Sequence, residues 1–385
     1  MRTVTSLKEL SDTGQYGLNA AALKEGHGVR FIRITDIDST GRLAGAIPAY
    51  VDPNINDLAK YELSPGDLLI ARSGATAGKS VLFEGLNERA VFAGYLIRFR
   101  PRIDLVLPEY LGYYLQSNAY WQFIKKTSRA VAQPNVNARE LASLPVPLVS
   151  LSGQRRIVDL LSRAENIARM RREAEQKTKE IIPALFLDVF GDPATNPKGW
   201  PSASIDEIAA IQSPLRTPDA DTEASAICIG PDSIESMTGQ LISQPTVGEV
   251  RPISGKYRYR QGDVLYSKIR PALVKVALAP SDGYCSADMY PLRCTSRVLP
   301  QYLLYALLHE HFTRYALDRA TRAQMPKINR EALFAFRLPV PSLNLQESFA
   351  RHCRDYECLR QQQRYAAVRA DQAFQSLLDR AFGLR

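Results

Sequence analysis

The second half of the chain repeats the first half at a nearly constant offset. "PEYLGYYL" at Pro108 returns as "PQYLLYAL" at Pro300, and "PNVNAREL" at Pro134 returns as "PKINREAL" at Pro326, in both cases 192 residues later. Further pairs are "GDLLIA" with "GDVLYS", "LPVP" with "LPVP", and "LFLDVFG" with "LLDRAFG". A period this long indicates a duplicated unit rather than a short-repeat solenoid. The sequence therefore predicts two related units with pseudo-twofold symmetry.

Each unit combines a mixed segment with a long charged helix. In the first unit, "VRFIRITDI" (29–37), "GDLLIA" (66–71) and "YLIRFR" (95–100) are strand-like. Residues 108–126 have a helical pattern that begins with proline, and residues 300–317 match it in the second unit. We predict an α+β fold in which two mixed α/β domains are separated by two long antiparallel helices that form a coiled-coil spacer.

Apolar residues line one side of each long helix, as in a coiled-coil seam. The expected seam consists of Ile157, Leu161, Ala164, Ala168 and Ile182 in the first helix, and of Phe349, Cys353, Tyr356, Leu359, Ala366, Ala370, Phe374 and Leu377 in the second. Pro183 should kink or interrupt the first helix near its end. The predicted divisions are a first domain over 1–149, a spacer helix over 150–190, a second domain over 191–342 and a C-terminal spacer helix over 343–385.

Composition excludes several classes of protein. Hydrophobic residues make up 45% of the chain, which can therefore bury a core, and no run of about 18 apolar residues predicts a membrane span. The N-terminus lacks the apolar stretch of a secretory signal, so we expect a cytoplasmic protein. The five cysteines form no C-x-x-C pair, so we expect neither a disulfide framework nor a metal site.

The stretch "RSGATAGKS" (72–80) is similar to a phosphate-binding loop. A Walker A loop has four residues between its first glycine and the Gly-Lys pair, and a helix follows it. Here only three residues separate Gly74 from Gly78, and the following "VLFEGL" is strand-like. The second unit has "YSKIRPALVK" at this place and keeps no glycine there. The sequence favours a glycine-rich turn between two strands over a nucleotide site.

The net charge of +9 is spread over both halves of the chain, so each unit is expected to meet an acidic partner. Nucleic acid is the usual partner of such a protein. Two related but diverged units on a rigid spacer suit a DNA target that has two short sequence elements and an unread gap.

The chain resembles the specificity (S) subunit of type I restriction-modification systems, the HsdS family. The resemblance is carried by "GDLLIARSGATAGK", by "LPVPLVSLSGQRRIVDLL" at the start of the first long helix, by "LFLDVFGDP" at its end, and by their counterparts in the second unit. Each motif alone is weak, and their order and duplication over nearly the whole chain make the match specific.

The resemblance implies that each mixed domain is a target recognition domain that reads one half of a split DNA site. The helices would dock two methyltransferase (M) subunits, which bind S-adenosylmethionine and methylate adenine. A restriction (R) subunit, which uses ATP and Mg, would join them for cleavage. The chain itself would bind no cofactor and would be non-catalytic, and no "NPPY" or "DPPY" methyltransferase signature occurs in it.

The candidate DNA contacts are basic, hydroxyl and amide side chains of the turn after "GDLLIA" or "GDVLYS", of the segment before "NAREL" or "NREAL", and of the preceding helix. In the first unit they are Arg72, Ser73, Thr76, Lys79, Lys125, Lys126, Arg129, Gln133, Asn135 and Asn137. In the second unit they are Lys268, Arg270, Lys275, Arg319, Arg322, Gln324, Lys327 and Asn329. Such groups donate to phosphates and bases, and amides match adenine edges. Asparagine near proline also favours a helix cap or a turn, so both interpretations stay open.

Two other classes of function remain open. One is an NTPase that uses residues 72–80, and the other is a coiled-coil scaffold that joins partner proteins without reading DNA. The wrong spacing and the missing second copy disfavour the first. The divergence of the turns between the units disfavours the second, because a scaffold has no need to vary them.

Overall fold

The structure is a computed structural model that describes residues 3–23, 28–38, 40–44, 47–128, 135–320 and 325–383. The chain forms two compact units. Unit 1 comprises Met1–Arg172 and Tyr365–Arg385, and unit 2 comprises Glu173–Arg364. Short strands and helices occur in both units, so the mixed helix and sheet content predicted from the sequence is confirmed.

The first part of the chain contains small sheets that have both antiparallel and parallel strand pairs. Its strands are β1 (Thr3–Ser6), β2 (Gln15–Tyr16), β3 (Val29–Ile32), β4 (Tyr50–Val51), β5 (Leu68–Ala71), β6 (Ser80–Leu82), β7 (Ala90–Phe92), β8 (Leu96–Phe99) and β9 (Pro145–Leu148). Its helices are α1 (Leu7–Leu10), α2 (Pro108–Tyr114), α3 (Asn118–Thr127), α4 (Ala138–Ala142) and α5 (Leu151–Thr178). The sheets have the orders β2-β8-β5-β6, β4-β3-β7 and β1-β9.

The rest of the chain has two sheets whose strand orders correspond to those above, and a further sheet that has four strands in place of three. Its strands are β10 (Ser202–Ser204), β11 (Ala209–Ala210), β12 (Leu215–Arg216), β13 (Ile227–Ile229), β14 (Lys256–Tyr259), β15 (Val264–Ser267), β16 (Val276–Leu278), β17 (Gly283–Ser286), β18 (Met289–Cys294) and β19 (Arg337–Pro339). Its helices are α6 (Ile181–Phe190), α7 (Ile205–Ile208), α8 (Val247–Val250), α9 (Pro300–Leu308), α10 (Glu310–Arg319), α11 (Arg330–Phe334) and α12 (Leu343–Phe382). The sheets have the orders β11-β18-β15-β16, β12-β14-β17-β13 and β10-β19.

The helix predicted over 108–126 is two helices, α2 and α3. The break lies at Ser117, whose hydroxyl accepts a hydrogen bond from the N–H of Tyr120 and caps α3. Unit 2 differs from the prediction over 300–317 in the same way, because His309 ends α9 and caps α10. Serine at such a position competes with the helical backbone and favours a new N-terminus.

The predicted strand over 29–37 is also shorter than expected. The strand β3 ends at Ile32, and residues Ile34–Asp36 form a 3₁₀ turn. The Asp36 carboxylate accepts a hydrogen bond from the Arg33 N–H at 2.8 Å, which holds the turn. A local side-chain contact of this kind draws the backbone out of the sheet.

The first long helix is interrupted where proline predicts it. The helix α5 ends at Thr178 and α6 begins at Ile181, so Pro183 lies in the first turn of α6. Proline removes an N–H donor and clashes with the carbonyl four residues earlier, which here belongs to Lys179, so the helix breaks before it.

The expected seam is partly wrong. Leu161 and Ala168 of α5 are buried, but Leu359 of α12 is 45% exposed. Ala367 and Leu378, which the spacing leaves out, are buried instead. The helix α12 has 40 residues and a length of about 60 Å at 1.5 Å per residue, and the side that is covered changes along it. A single heptad pattern does not describe that change.

A buried glutamine fixes the first turn of each long helix. The Oε1 of Gln154 accepts from the N–H of Leu107 at 2.8 Å, and its Nε2 donates to the carbonyls of Leu105 at 3.1 Å and Val149 at 2.9 Å. The Oε1 of Gln346 accepts from Leu299 at 2.8 Å, and its Nε2 donates to Arg297 at 3.2 Å and Pro341 at 2.8 Å. Both glutamines are fully buried.

Aromatic rings join the end of a long helix to the core of each unit. In unit 1, Tyr110 donates to the carbonyl of Pro147 at 2.5 Å, and its ring lies 5.1 Å from that of Phe382. In unit 2, Tyr302 donates to the carbonyl of Pro339, and its ring lies 4.9 Å from that of Phe190. Edge-to-face pairs at these distances stabilise a core beyond their buried area.

Candidate nucleic-acid interface

The stretch "RSGATAGKS" forms a turn between two antiparallel strands. It leaves β5, passes through a 3₁₀ turn at Gly74–Thr76 and enters β6, which pairs with β5. Gly74 and Gly78 have φ values of +76° and +89°, which glycine adopts without strain. The glycines are therefore required by the backbone, and no helix follows them to bind a phosphate. The expected glycine-rich turn is confirmed.

The corresponding turn of unit 2 has the same backbone shape without glycine. Arg270 and Val274 have φ values of +48° and +45°, and the 3₁₀ turn Pro271–Leu273 lies between them. A branched residue in this left-handed region is strained. The turn is therefore retained in unit 2, although most of its side chains differ from those of unit 1.

In unit 1 this turn lies directly beside the segment that leads into α4. Ser73 forms an antiparallel bridge with Asn135, and the N–H of Val136 donates to the carbonyl of Arg72 at 2.8 Å. Two groups of candidate residues that are about 60 positions apart in the sequence thus form one surface.

Unit 2 brings its own two candidate groups together by the same backbone contacts. Ile269 forms an antiparallel bridge with Lys327, and the N–H of Ile328 donates to the carbonyl of Lys268 at 3.0 Å. The N–H of Arg270 donates to the carbonyl of Pro326 at 2.7 Å. The candidate lysines and arginine of this surface therefore share one edge of unit 2.

The helix before each surface adds exposed cations. In unit 1, Tyr120 of α3 donates to the carbonyl of Gly78 at 2.6 Å, so α3 packs on the turn. Lys125 and Lys126 lie exposed in the last turn of α3. In unit 2, Arg319 ends α10, and its guanidinium carbon lies 3.7 Å from the centre of the Tyr315 ring. Exposed cations of this kind suit phosphate contacts.

The remaining turn residues differ in their exposure and in their hydrogen bonds within the chain. Thr76 is exposed, and its hydroxyl donates to the Ser73 carbonyl at 3.5 Å. The Lys275 ammonium donates to the carbonyl of Pro231 at 2.8 Å, and its side chain is only 15% exposed. Lys275 is thus directed into unit 2 rather than presented on its surface.

Two candidate asparagines are helix caps. The Oδ1 of Asn137 accepts from the N–H of Glu140 at 2.9 Å, and the Oδ1 of Asn329 accepts from the N–H of Ala332 at 2.8 Å. The Glu140 carboxylate accepts a hydrogen bond from the N–H of Asn137 at 2.8 Å and completes a capping box. Asn137 and Asn329 therefore both have the helix-capping role that the sequence left open.

We expect Asn137→Ala to lower the free energy of unfolding by about 1 kcal/mol, because α4 loses its cap. The exposed neighbour Asn135 offers a matched control, since Asn135→Ala should change stability by less than about 0.5 kcal/mol. Urea denaturation of the purified chain measures both. Unchanged stability of Asn137→Ala would contradict the capping role.

Four candidates, Arg129, Gln133, Arg322 and Gln324, lie outside the described residues. The other candidates, apart from the inward-directed Lys275, lie in the two surfaces or in the helices beside them.

Sequence reasoning missed the aromatic and acidic residues of these surfaces. In unit 1, Tyr95 is 64% exposed, and its carbonyl accepts from the N–H of Arg72 at 2.9 Å. The guanidinium of Arg72 also lies over the ring of Tyr16. In unit 2, the exposed Asp288 accepts from the N–H of Lys268 through its carbonyl, where unit 1 has Tyr95. No local pattern identifies these residues, because each reaches the turn from another strand or loop.

Charged contacts fix the loop that follows β3 in unit 1 against α5. The guanidinium of Arg42 donates to the buried Glu165 at 3.0 Å, and the hydroxyl of Tyr113 donates to the same carboxylate at 2.9 Å. Burial and the neighbouring Glu165 raise the pKa of Tyr113. Burial alone would raise the pKa of Asp38, but hydrogen bonds from Arg42 and Thr40 and the charge of Lys79 hold it below its ordinary value.

The part of the chain that the structure describes contains neither a metal-binding cluster nor a membrane-spanning helix. Among the described residues, no group of three or more His, Cys, Asp and Glu side chains could hold a metal ion. Within the same ranges, no helix is both long and apolar enough to cross a membrane.

The first half of the chain matches a known family. The model of the type I restriction modification DNA specificity domain matches residues 3–180. The chain is 34% identical over 190 residues to the type I restriction enzyme EcoDI specificity subunit of Escherichia coli, which covers 48% of this chain and 42% of that protein. It is 31% identical over 170 residues to the putative type I restriction enzyme MjaX specificity subunit of Methanocaldococcus jannaschii, covering 43% and 39%. The matched parts thus span about two fifths of these curated relatives.

Solved structures share the fold over the full length. The S subunit of a type I restriction-modification system from M. genitalium aligns with a TM-score of 0.58 at 12% identity, covering 100% of this chain and 97% of that one. A chain from a structure that addresses complex assembly and conformational transition of the type I R-M system aligns with a TM-score of 0.59 at 18% identity, covering 99% and 97%. At these identities the alignments establish the fold alone.

The matched residues 3–180 include the turn, α4 and all of α5, and both of these relatives are named specificity subunits. The first half of the chain therefore belongs to the DNA specificity domain family of type I restriction modification systems, and the chain as a whole shares the fold of a solved S subunit.

Proposed function

We propose that this chain recognises DNA for a type I restriction-modification complex and that each unit reads one part of a split site. The observation that carries the proposal is the pair of surfaces in which the turn after β5 or β15 meets the segment before α4 or α11. Both surfaces have the same backbone contacts and several cations. Their exposed side chains differ, as expected of two readers of different sequences.

Buried contacts that recur in both units, beside exposed side chains that differ, support a tandem duplication. The buried contacts of Gln154 and Tyr110 recur at Gln346 and Tyr302, each 192 residues later. The exposed position of Tyr95 is instead filled by an acidic residue in unit 2. A scaffold that joined proteins without reading DNA would have no reason to keep its packing and vary its turns.

In this proposal the long helices form the antiparallel coiled-coil spacer expected from the sequence, with domains over 1–149 and 191–342 and helices over 150–190 and 343–385. Contacts inside each unit favour it. In unit 1, Arg172 of α5 lies 3.7 Å from Asp371 of α12. In unit 2, the hydroxyl of Tyr356 of α12 donates to the carbonyl of Thr178 at the end of α5.

The proposal includes the partners that the family implies. Two M subunits would bind S-adenosylmethionine and methylate adenine, and R subunits would use ATP and Mg for cleavage. This chain would supply sequence recognition without catalysis and would work in the cytoplasm, where its DNA target lies. Nucleotide use by residues 72–80 has no support from the strand–turn–strand geometry of that stretch.

Methylation mapping tests the proposal. We expect the chain, co-expressed with a cognate methyltransferase in a host without adenine methylation, to produce methylated adenines in a two-part motif with a fixed unread gap. The control is the methyltransferase alone, which should leave no such motif. An assembled complex that methylates without sequence preference would overturn DNA reading and favour the scaffold.

A salt titration adds a second readout. Binding of the assembled complex to a duplex that carries the motif should weaken steeply with salt, because cations of both units release counterions from phosphates. Fluorescence anisotropy between about 50 and 200 mM salt measures the slope. A flat salt dependence would contradict contacts by the exposed cations.

A further inference from the structure

Arg72 is the most tightly positioned cation of the surface in unit 1. Its N–H donates to the carbonyl of Tyr95 at 2.9 Å, and its carbonyl accepts from the N–H of Val136 at 2.8 Å. Both backbone groups are therefore held by other segments of the unit. A side chain on such a backbone starts from a defined point and direction, unlike one at the frayed end of a helix.

The side chain of Arg72 is also held. Its guanidinium carbon lies over the ring of Tyr16, 5.0 Å from the centre, and the Tyr16 hydroxyl accepts from the N–H of Ala138 at 3.2 Å. The ring is thus fixed beside the start of α4. The Nε of Arg72 is buried and has no hydrogen-bond partner among the residues that the structure describes.

Unit 2 contains the same arrangement, built from a different strand. The N–H of Lys268 donates to the carbonyl of Asp288 at 2.9 Å, its carbonyl accepts from Ile328, and its ammonium lies over the ring of Tyr290 at 5.4 Å. Tyr290 belongs to β18, whereas Tyr16 belongs to β2, which corresponds to β11 in the sheet of unit 2. The tyrosine was therefore not inherited from one ancestral position. A cation held on a tyrosine at the same point of both turns indicates a shared requirement rather than shared descent.

The geometry favours a base over a phosphate as the acceptor. Phosphates need only positive charge, which the exposed Lys125 and Lys126 supply without a fixed orientation. A planar guanidinium restricted in orientation suits two parallel hydrogen bonds to one acceptor edge. In the major groove, the O6 and N7 of guanine form the edge that Arg and Lys recognise.

We infer that Arg72 determines specificity by reading a guanine in the half-site of unit 1, and that Lys268 reads a guanine in the half-site of unit 2. The inference rests on the proposed function, since it assigns a base to each DNA-reading surface. It makes Arg72 and Lys268 specificity-determining and leaves phosphate binding to exposed cations such as Lys125 and Lys126.

The test is a set of glutamine variants in the full complex with its methyltransferase. We expect Arg72→Gln to abolish the preference for guanine at one position of one half-site and to leave the other half-site unchanged. Preference at that position, measured by methylation mapping and by selection from duplexes with randomised half-sites, should fall about tenfold to a hundredfold. Lys268→Gln should do the same in the other half-site.

Lys125→Gln is the matched control, because it removes one positive charge from the same unit without touching a ring. It should weaken binding to all sequences evenly and leave the motif intact. If Arg72→Gln behaves like Lys125→Gln, Arg72 contacts a phosphate and the inference is wrong. If the wild-type complex itself yields no two-part motif, the proposed function fails instead, so the two failures are distinct.

Two variants of Tyr16 test the role of the stacked ring separately from any loss of folding. Tyr16→Phe keeps the ring under Arg72 and should keep the guanine preference, whereas Tyr16→Leu removes the ring face and should relax it. Equal motifs for Tyr16→Phe and Tyr16→Leu, in complexes that still methylate, would overturn the role of the stacked ring in positioning Arg72.

Discussion

Gln346→Leu should lower the free energy of unfolding of unit 2 by about 4 kcal/mol, because each buried group that loses its hydrogen-bond partner costs about 1–3 kcal/mol. Leucine fills most of the glutamine volume but can neither accept from the N–H of Leu299 nor donate to the carbonyls of Arg297 and Pro341. Arg297 and Leu299 belong to the segment between β18 and α9, and Pro341 belongs to the segment between β19 and α12. The first turn of α12 should therefore detach from the unit before the rest unfolds.

Fluorescence can assign the loss to the right unit. The chain has two tryptophans, Trp121 in unit 1 and Trp200 in unit 2. In a Trp121→Phe background, where Trp200 reports on unit 2, Gln346→Leu should lower the urea midpoint. In a Trp200→Phe background, where Trp121 reports on unit 1, Gln154→Leu should do the same. The control Gln361→Leu changes an exposed position of α12 and should shift neither. Equal shifts for Gln361 and Gln346 would show that the buried hydrogen bonds contribute little.

Phe186→Ala should destabilise unit 2 by about 3–5 kcal/mol, the range for truncating a buried phenylalanine. Phe186 of α6 is 1% exposed, and its ring contacts those of Phe190, Tyr302 and Phe349 at 5.2, 5.5 and 5.7 Å. These rings come from α6, α9 and α12, so no single neighbour can move to fill the cavity. Thermal and urea unfolding followed by Trp200 fluorescence measure the loss.

The neighbouring Leu187 provides the control, because it lies on the same turn of α6 and is 41% exposed. Leu187→Ala should change stability by no more than about 0.5 kcal/mol. A loss for Phe186→Ala below that of Leu187→Ala would mean that the aromatic cluster does not hold α6 to the unit.

Local sequence patterns predicted several elements correctly. "GDLLIA" and "GDVLYS" form β5 and β15, because apolar and β-branched runs after a turn favour buried strands. The turn after β5 follows from its glycines, and the break before α6 follows from Pro183. In each case the deciding interaction lies within a few residues of the pattern.

Local patterns did not predict that two helices replace the single helix expected in each unit. The apolar spacing over 108–126 continues across the break, but Ser117 caps a new helix, and its N–H donates to the carbonyl of Tyr114. A cap and the packing that redirects the chain contribute more than the propensity of two or three residues to continue a helix.

For the candidate interface, the sequence identified which residue types carry the chemistry but not which of them meet. Arg72, Lys268 and their neighbours stand out because they follow a strand and precede another. Their stacking on Tyr16 and Tyr290 depends on strands that pair far away in the sequence. Spacing along the chain has no information about such pairs.

The sequence by itself predicted the duplication, and it determined the mixed class of the units, the turn in place of a nucleotide loop and the family resemblance, because each depends on order along the chain or on local backbone chemistry. The tertiary structure alone decided that the turn meets the segment before α4, that Lys275 turns inward to Pro231, and that Asn137 and Asn329 cap helices. These outcomes depend on contacts between distant segments, whose free energies are settled only when the whole unit packs.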